Sequence, residues 1–216
     1  MTRRVSLILL LAAGFVTGMA RLVTGVRGNW QGSLPDPRPR IYFANHRSHG
    51  DFVLVWTVLP RALRRSTRPV AAADYWGQGG IRGFFGRSIF DAVLVDRQGG
   101  TRDSDPILPL LAALDAGSSL ILFPEGTRNT TEAPLLAFKS GIHRLAQQRP
   151  EVELIPVWID NLNRVMPKGE FVPVPLLCTV TFGAPIAPQA DESSQAFRER
   201  SRAALLALAP HDEATP

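Results

Sequence analysis

The chain has 216 residues, 45% apolar and 8% aromatic, which suffices for one domain with a substantial core and excludes a disordered chain. The formal net charge of +5 rests almost wholly on arginine, since Lys139 and Lys168 are the only lysines; it suits a lipid headgroup, a phosphorylated metabolite or nucleic acid without choosing among them. A single cysteine, Cys178, excludes an internal disulfide and a cysteine-based zinc site.

The first predicted element is apolar. Arg3 and Arg4 precede sixteen uncharged residues, 5–20, and after Arg21 a further apolar stretch runs to Val26. A helix needs roughly 20 apolar residues to span a bilayer, so this run falls short unless Arg21 snorkels. A retained helix seated in the membrane fits the pattern. A cleaved secretory signal, with Gly18 and Ala20 near its cleavage point, fits it too, as does a helix packed on a soluble core. The stretch GNWQGSLPDPRPR follows, where Pro35, Pro37 and Pro39 forbid helix and predict an extended linker.

Beyond the linker the pattern alternates. Short β-branched runs predict strands over 41–44, 69–73, 92–95, 119–123, 154–159 and 177–182. Helices are predicted over 52–63, 81–89, 106–116, 135–148 and 193–208, before a polar tail. Near-continuous apolar strands alternating with helices predict an α/β fold, a mixed, mostly parallel sheet flanked by helices. Such sheets bind ligands beyond the carboxyl ends of their strands. The two most polar strand-to-helix turns are therefore the candidates: NHRSHGD (45–51) and PEGTRNT (124–130).

The first turn gathers two of the chain's four histidines and an aspartate. His46 and Asp51 would lie about 140° apart on a regular helix, so they meet only in an irregular turn. Gly50 permits that bend. An aspartate accepting from one imidazole nitrogen orients the ring and leaves the other nitrogen to take a proton from a hydroxyl, the general-base half of an acyl transfer. Two other readings use the same residues. Asp51 could be an N-cap with His46 and His49 as loop residues, or the three could be metal ligands.

In the second turn Pro124 ends a strand and the chain bends through Glu125, Gly126, Thr127 and Arg128. Glycine lets backbone approach an anion, and Arg128 offers a planar fork of donors for phosphate oxygens. Lys139, in AFKSGI, brings a second positive charge. An ion pair between Glu125 and Arg128 is the plainer alternative.

Taken in order, the chain carries NHxxxxD (Asn45, His46, Asp51), a strand ending in arginine (AVLVDR, Arg97), FPEGTR (123–128), FKSG (138–141) and IPVWI (155–159). Over residues 40–160 it resembles the glycerolipid acyltransferases of the lysophosphatidic acid (1-acyl-glycerol-3-phosphate) acyltransferase family. The resemblance implies an αβα acyltransferase domain over 29–216, preceded by a membrane-associated helix over 1–28. It makes His46 the general base and Asp51 its orienter. Arg97, Glu125, Gly126, Thr127, Arg128 and Lys139 would bind the substrate, and His49 inherits no role.

The implied reaction moves a fatty acyl group from an acyl-CoA or acyl-ACP thioester to a lysophospholipid hydroxyl, foremost that of 1-acyl-sn-glycerol-3-phosphate, giving phosphatidic acid. It needs no metal and no cofactor, because the thioester is already activated. The partners implied are the bilayer and, for one class of donor, acyl carrier protein, with no nucleic acid. Since such donors are cytoplasmic, the resemblance places the protein on the cytoplasmic face of the inner (cell) membrane and argues against a cleaved signal. Arg61, Arg64, Arg65 and Arg68 are then either a basic rim for anionic headgroups or a solvated helix end. Another lyso-lipid acceptor is the alternative within the class; a metal-dependent hydrolase and a non-catalytic lipid-binding protein are the alternatives outside it.

Overall fold

The computed structural model describes residues 7–73, 89–96, 105–160 and 177–210. Among these the chain runs α1 (Leu7–Thr24), β1 (Arg27–Trp30), β2 (Arg40–Ala44), α2 (Asp51–Val58), α3 (Arg61–Arg64), β3 (Thr67–Ala72) and β4 (Val93–Val95). It continues through α4 (Leu108–Asp115), β5 (Ser119–Leu122), α5 (Gly141–Gln148), β6 (Glu153–Asp160), β7 (Thr179–Phe182) and α6 (Ser194–Leu206).

The strands form one sheet in the order β1-β7-β6-β2-β5-β3-β4. From β6 to β4 every neighbouring pair is parallel. β7 runs antiparallel to β6, and β1 runs parallel to β7. The mixed, mostly parallel sheet of the sequence reading is therefore present.

Strand residues alternate between two cores, as a period of two requires. Tyr42, Ala44, Ile121, Ile155 and Val157 face α2, with Ala13, Val16 and Val23 of α1 packed behind. Ile41, Phe43, Leu120 and Leu154 face the opposite side, where Leu110 and Leu114 of α4, Ile142 and Leu145 of α5, and Phe197 of α6 cover them. All five residues of β2 are buried. This strand is the centre of the molecule. Its connection leads by way of α2 to β3 on one side, whereas the chain leaving β5 crosses to β6 on the other. The carboxyl ends of β2 and β5 thus flank the point where strand order reverses.

Several boundaries differ from expectation. The helix predicted over 52–63 is broken: Leu59 is extended (ψ 143°) and α3 starts after Pro60, because proline removes a donor and disfavours helix in the residue before it. Only 141–148 of the helix predicted over 135–148 is helical. The preceding backbone is spent elsewhere, with Leu136 N donating to Glu125 Oε2 and Lys139 N to Pro124 O, each at 2.8 Å. The linker reading began one strand too early, since β1 covers its first residues. RGNW has no apolar alternation and is largely exposed; it is held by its ladder to β7 and by Trp30 stacking on Phe182 at 3.8 Å. The helix predicted over 81–89 lies outside the described residues except for residue 89.

Candidate active site

Where β2 ends, Asn45 fastens the first turn to β6. Its side chain is buried, accepting from Ile159 N at 2.7 Å and donating to Ile159 O at 2.9 Å. The amide so satisfies both backbone groups of one residue, and His46 emerges from an anchored point.

Asp51 is the first residue of α2 but does not cap it; the position before is Gly50 in helical conformation, and no side chain caps the helix. Its buried carboxylate turns back into the loop instead. Asp51 Oδ2 accepts from Arg47 N at 2.7 Å and Ser48 N at 2.8 Å, and lies 2.9 Å from His46 Nδ1. Accepting a hydrogen bond from Nδ1–H holds that proton on Nδ1 and leaves Nε2 as the basic nitrogen. The imidazole also stacks on Phe123, with centroids 4.2 Å apart and planes at 20°. Two contacts therefore fix the ring, one at its edge and one on its face.

The second turn holds the first. Glu125 is buried at 1% exposure, and its Oε1 accepts from His46 N at 2.9 Å while Oε2 accepts from Leu136 N at 2.8 Å. Burial pushes its carboxyl above the ordinary range, opposed by those two amide bonds and by the charges of His46 and Arg47. Asn129 N donates to His46 O at 2.6 Å, so both backbone groups of the histidine are held by the second turn. Further out, Asn129 Nδ2 and Arg47 Nη2 converge on Ala133 O at 2.7 and 3.0 Å.

Gly126 adopts φ +72°, and a Cβ there would lie 3.2 Å from Lys139 Cγ. This is a conformation and a close approach that favour glycine. Beyond it, Thr127, Arg128 and Lys139 are exposed. They line the same cleft as His46, a space of about 760 Å³. The rest of its lining is largely apolar and includes Val70 and Ala72 of β3, Phe90, Ile107, Leu110 and Ile142. The cleft thus combines a basic lip, an oriented imidazole and a greasy interior.

Of the residues singled out in the sequence, the structure brings His46, Gly126, Thr127, Arg128 and Lys139 to one cleft, with Asp51 behind the histidine. Glu125 differs. Expected among the substrate-binding residues, it faces inward as a strut between the turns and does not line the cleft, and its bonds go to backbone amides, not to Arg128 as the plainer alternative had it. Arg97 lies outside the described residues. Among the described residues no three His, Cys, Asp or Glu side chains gather as a metal site. Asn45, Phe123 and Asn129 had no assigned role, although Asn45 stands in NHxxxxD, Phe123 in FPEGTR and Asn129 in the second candidate turn.

A model of the acyltransferase family matches residues 28–160. That is more than half of the chain, and the protein is a member of the acyltransferase family. Its fold is shared with a crystal structure of the 1-acyl-sn-glycerophosphate (LPA) acyltransferase PlsC from Thermotoga maritima. The two are 20% identical, with a TM-score of 0.69 over 96% of this chain and 82% of that one. A comparison with curated proteins finds no match.

Proposed function

We propose that this acyltransferase moves a fatty acyl group from an acyl thioester, acyl-CoA or acyl-ACP, to the free hydroxyl of 1-acyl-sn-glycerol-3-phosphate. The observation that carries the reading is the Asp51-oriented His46 in a cleft with a basic lip and a largely apolar lining. His46 Nε2 takes the hydroxyl proton as the oxygen attacks the thioester carbonyl. The tetrahedral intermediate then collapses, its carbon–sulfur bond breaks, and the leaving thiolate takes the proton back from the imidazolium, which frees the thiol and restores the base. Arg128 and Lys139 hold the phosphate of the acceptor, and the apolar lining receives an acyl chain. No metal or redox group is required, because the thioester supplies the activated carbonyl.

A membrane seat supports the same reading. Leu11, Phe15 and Leu22 of α1 are at least 65% exposed, and Met19 is 41% exposed. Spaced by about a turn, they form one stripe opposite the face that packs on the core. No described helix is long and apolar enough to cross a membrane, so α1 lies in one leaflet with its stripe among the acyl chains. Cytoplasmic thioester donors put that leaflet on the cytoplasmic face.

The deciding experiment offers purified protein one acyl thioester and a panel of lyso-acceptors, following free thiol and the lipids formed by mass spectrometry. Phosphatidic acid from the lysophosphatidate is the expected product. Thiol release with a different lyso-lipid and none with this one reassigns the acceptor. No thiol release with any member refutes the proposed reaction.

A further inference from the structure

At the end of α2 away from the catalytic turn lies a second basic feature. Thr57 is six residues beyond Asp51 in α2, about 9 Å along the axis at ~1.5 Å per residue. There Arg21 of α1 directs Nη2 at Thr57 O, 3.4 Å away. Arg64 of α3 sets its guanidinium over the Trp56 ring, 5.4 Å from the centroid. Trp56 Nε1 in turn donates to Arg64 O at 3.0 Å, which locks α3 against α2. Arg61 lies one turn earlier on α3. Burial, then the charges of Arg21 and Arg61, push the Arg64 pKa down.

Like charges so placed need a counter-charge. Among the described residues no carboxylate supplies one to Arg21, Arg61 or Arg64, and Arg64 Nε is buried without a partner. Arg68, grouped with them on sequence, belongs elsewhere: it pairs with Asp91 across the sheet edge. Arg21 follows directly on the exposed stripe of α1, one residue before Leu22. Apolar surface beside a cradle of donors matches a molecule with a tail and an anionic head.

We propose that Arg21, Arg61 and Arg64 form a phosphate site for the headgroup of an anionic phospholipid that is not the substrate. The site rests on the proposed seating of α1 in a leaflet and fixes how the domain is tilted upon it. A stacked, pre-positioned arginine gives a fork of donors that a lysine at the same place would not.

The test is co-sedimentation of the full chain with phosphatidylcholine vesicles, with and without phosphatidylglycerol. Wild type should prefer the anionic vesicles. Arg61→Gln, which removes a side chain that makes no hydrogen bond among the described residues, should lower that preference about fivefold, and Arg61→Gln with Arg64→Gln by about 25-fold. Binding to neutral vesicles should be unchanged in both. Arg64→Lys should lose most of the Arg64 share; full retention would mean diffuse charge and overturn the site. Unchanged preference in Arg61→Gln also overturns it. Inorganic phosphate, at ionic strength matched with chloride, should lower the preference of wild type by competing for the site and leave Arg61→Gln with Arg64→Gln unaffected; an equal effect on both would overturn the site. Wild type binding both vesicles alike sinks the site and leaves the seating intact, whereas binding to neither sinks both.

Discussion

Single side chains decide the chemistry. His46→Ala should cut turnover by roughly 10² to 10⁴ while leaving the thermal midpoint near wild type, since general-base catalysis is worth that much. Asp51→Asn should also slow turnover, because a neutral amide can accept the same N–H groups but no longer stabilises the imidazolium that forms. Near wild-type rates in well-folded His46→Ala would remove His46 as the base. Arg128→Ala should raise KM for the phosphorylated acceptor more than for the donor, with Arg128→Lys recovering part of it; equal effects on both substrates would assign Arg128 to folding. Glu125 makes a pH prediction. Its carboxyl is raised above 4.5, first by burial, so the folded state holds the proton more tightly than the unfolded one. That stabilising contribution is full below the ordinary value and is lost as pH rises through the raised one. Compared with Glu125→Gln, wild type should therefore lose relative stability on going from acid toward neutral pH, read as the difference in urea midpoints. A difference that stays flat across that range would contradict the burial argument.

At the scale of elements, α1 serves two surfaces. One face is packed behind the α2 core through Ala13, Val16 and Val23, and the other presents the exposed stripe. Deleting residues 1–28 should accordingly do two things at once. It should release protein from membranes that wild type still holds after a high-salt wash, and it should lower the urea midpoint by exposing the α2 face. The deletion would also remove Arg27 and Gly28, half of β1, and with them half of its ladder to β7. Deletion that leaves sedimentation unchanged would show that α1 is not the anchor.

The whole molecule meets at the strand reversal, where β2 stands between β5 and β6. Asn45 is the stitch across it. Asn45→Ala strands Ile159 N and O in the core, a cost of about 1–3 kcal/mol for each unsatisfied group. It also frees the base of the His46 turn. We expect a lower urea midpoint together with a lower kcat at nearly unchanged KM, because Arg128 and Lys139, the proposed phosphate contacts, lie outside the His46 turn. A variant with normal kcat would show that the turn keeps its shape without this stitch.

The family and its two candidate turns were legible in the sequence because they depend on residue type and short spacing. NHxxxxD and FPEGTR each fit within one turn, and the alternation of strands and helices announced the α/β class. Tertiary structure alone decided what joins those turns. Glu125 reaches His46 across 79 residues, and Asn45 reaches Ile159 across 114. A carboxylate in a polar turn looks the same in sequence whether it meets ligand or backbone amide. The non-helical stretch before α5 and the edge strand β1 follow the same logic, since their hydrogen bonds go to partners that local propensity cannot register. Short-range pattern sets which groups can react; long-range pairing sets where they point and which of them are spent on holding the others still.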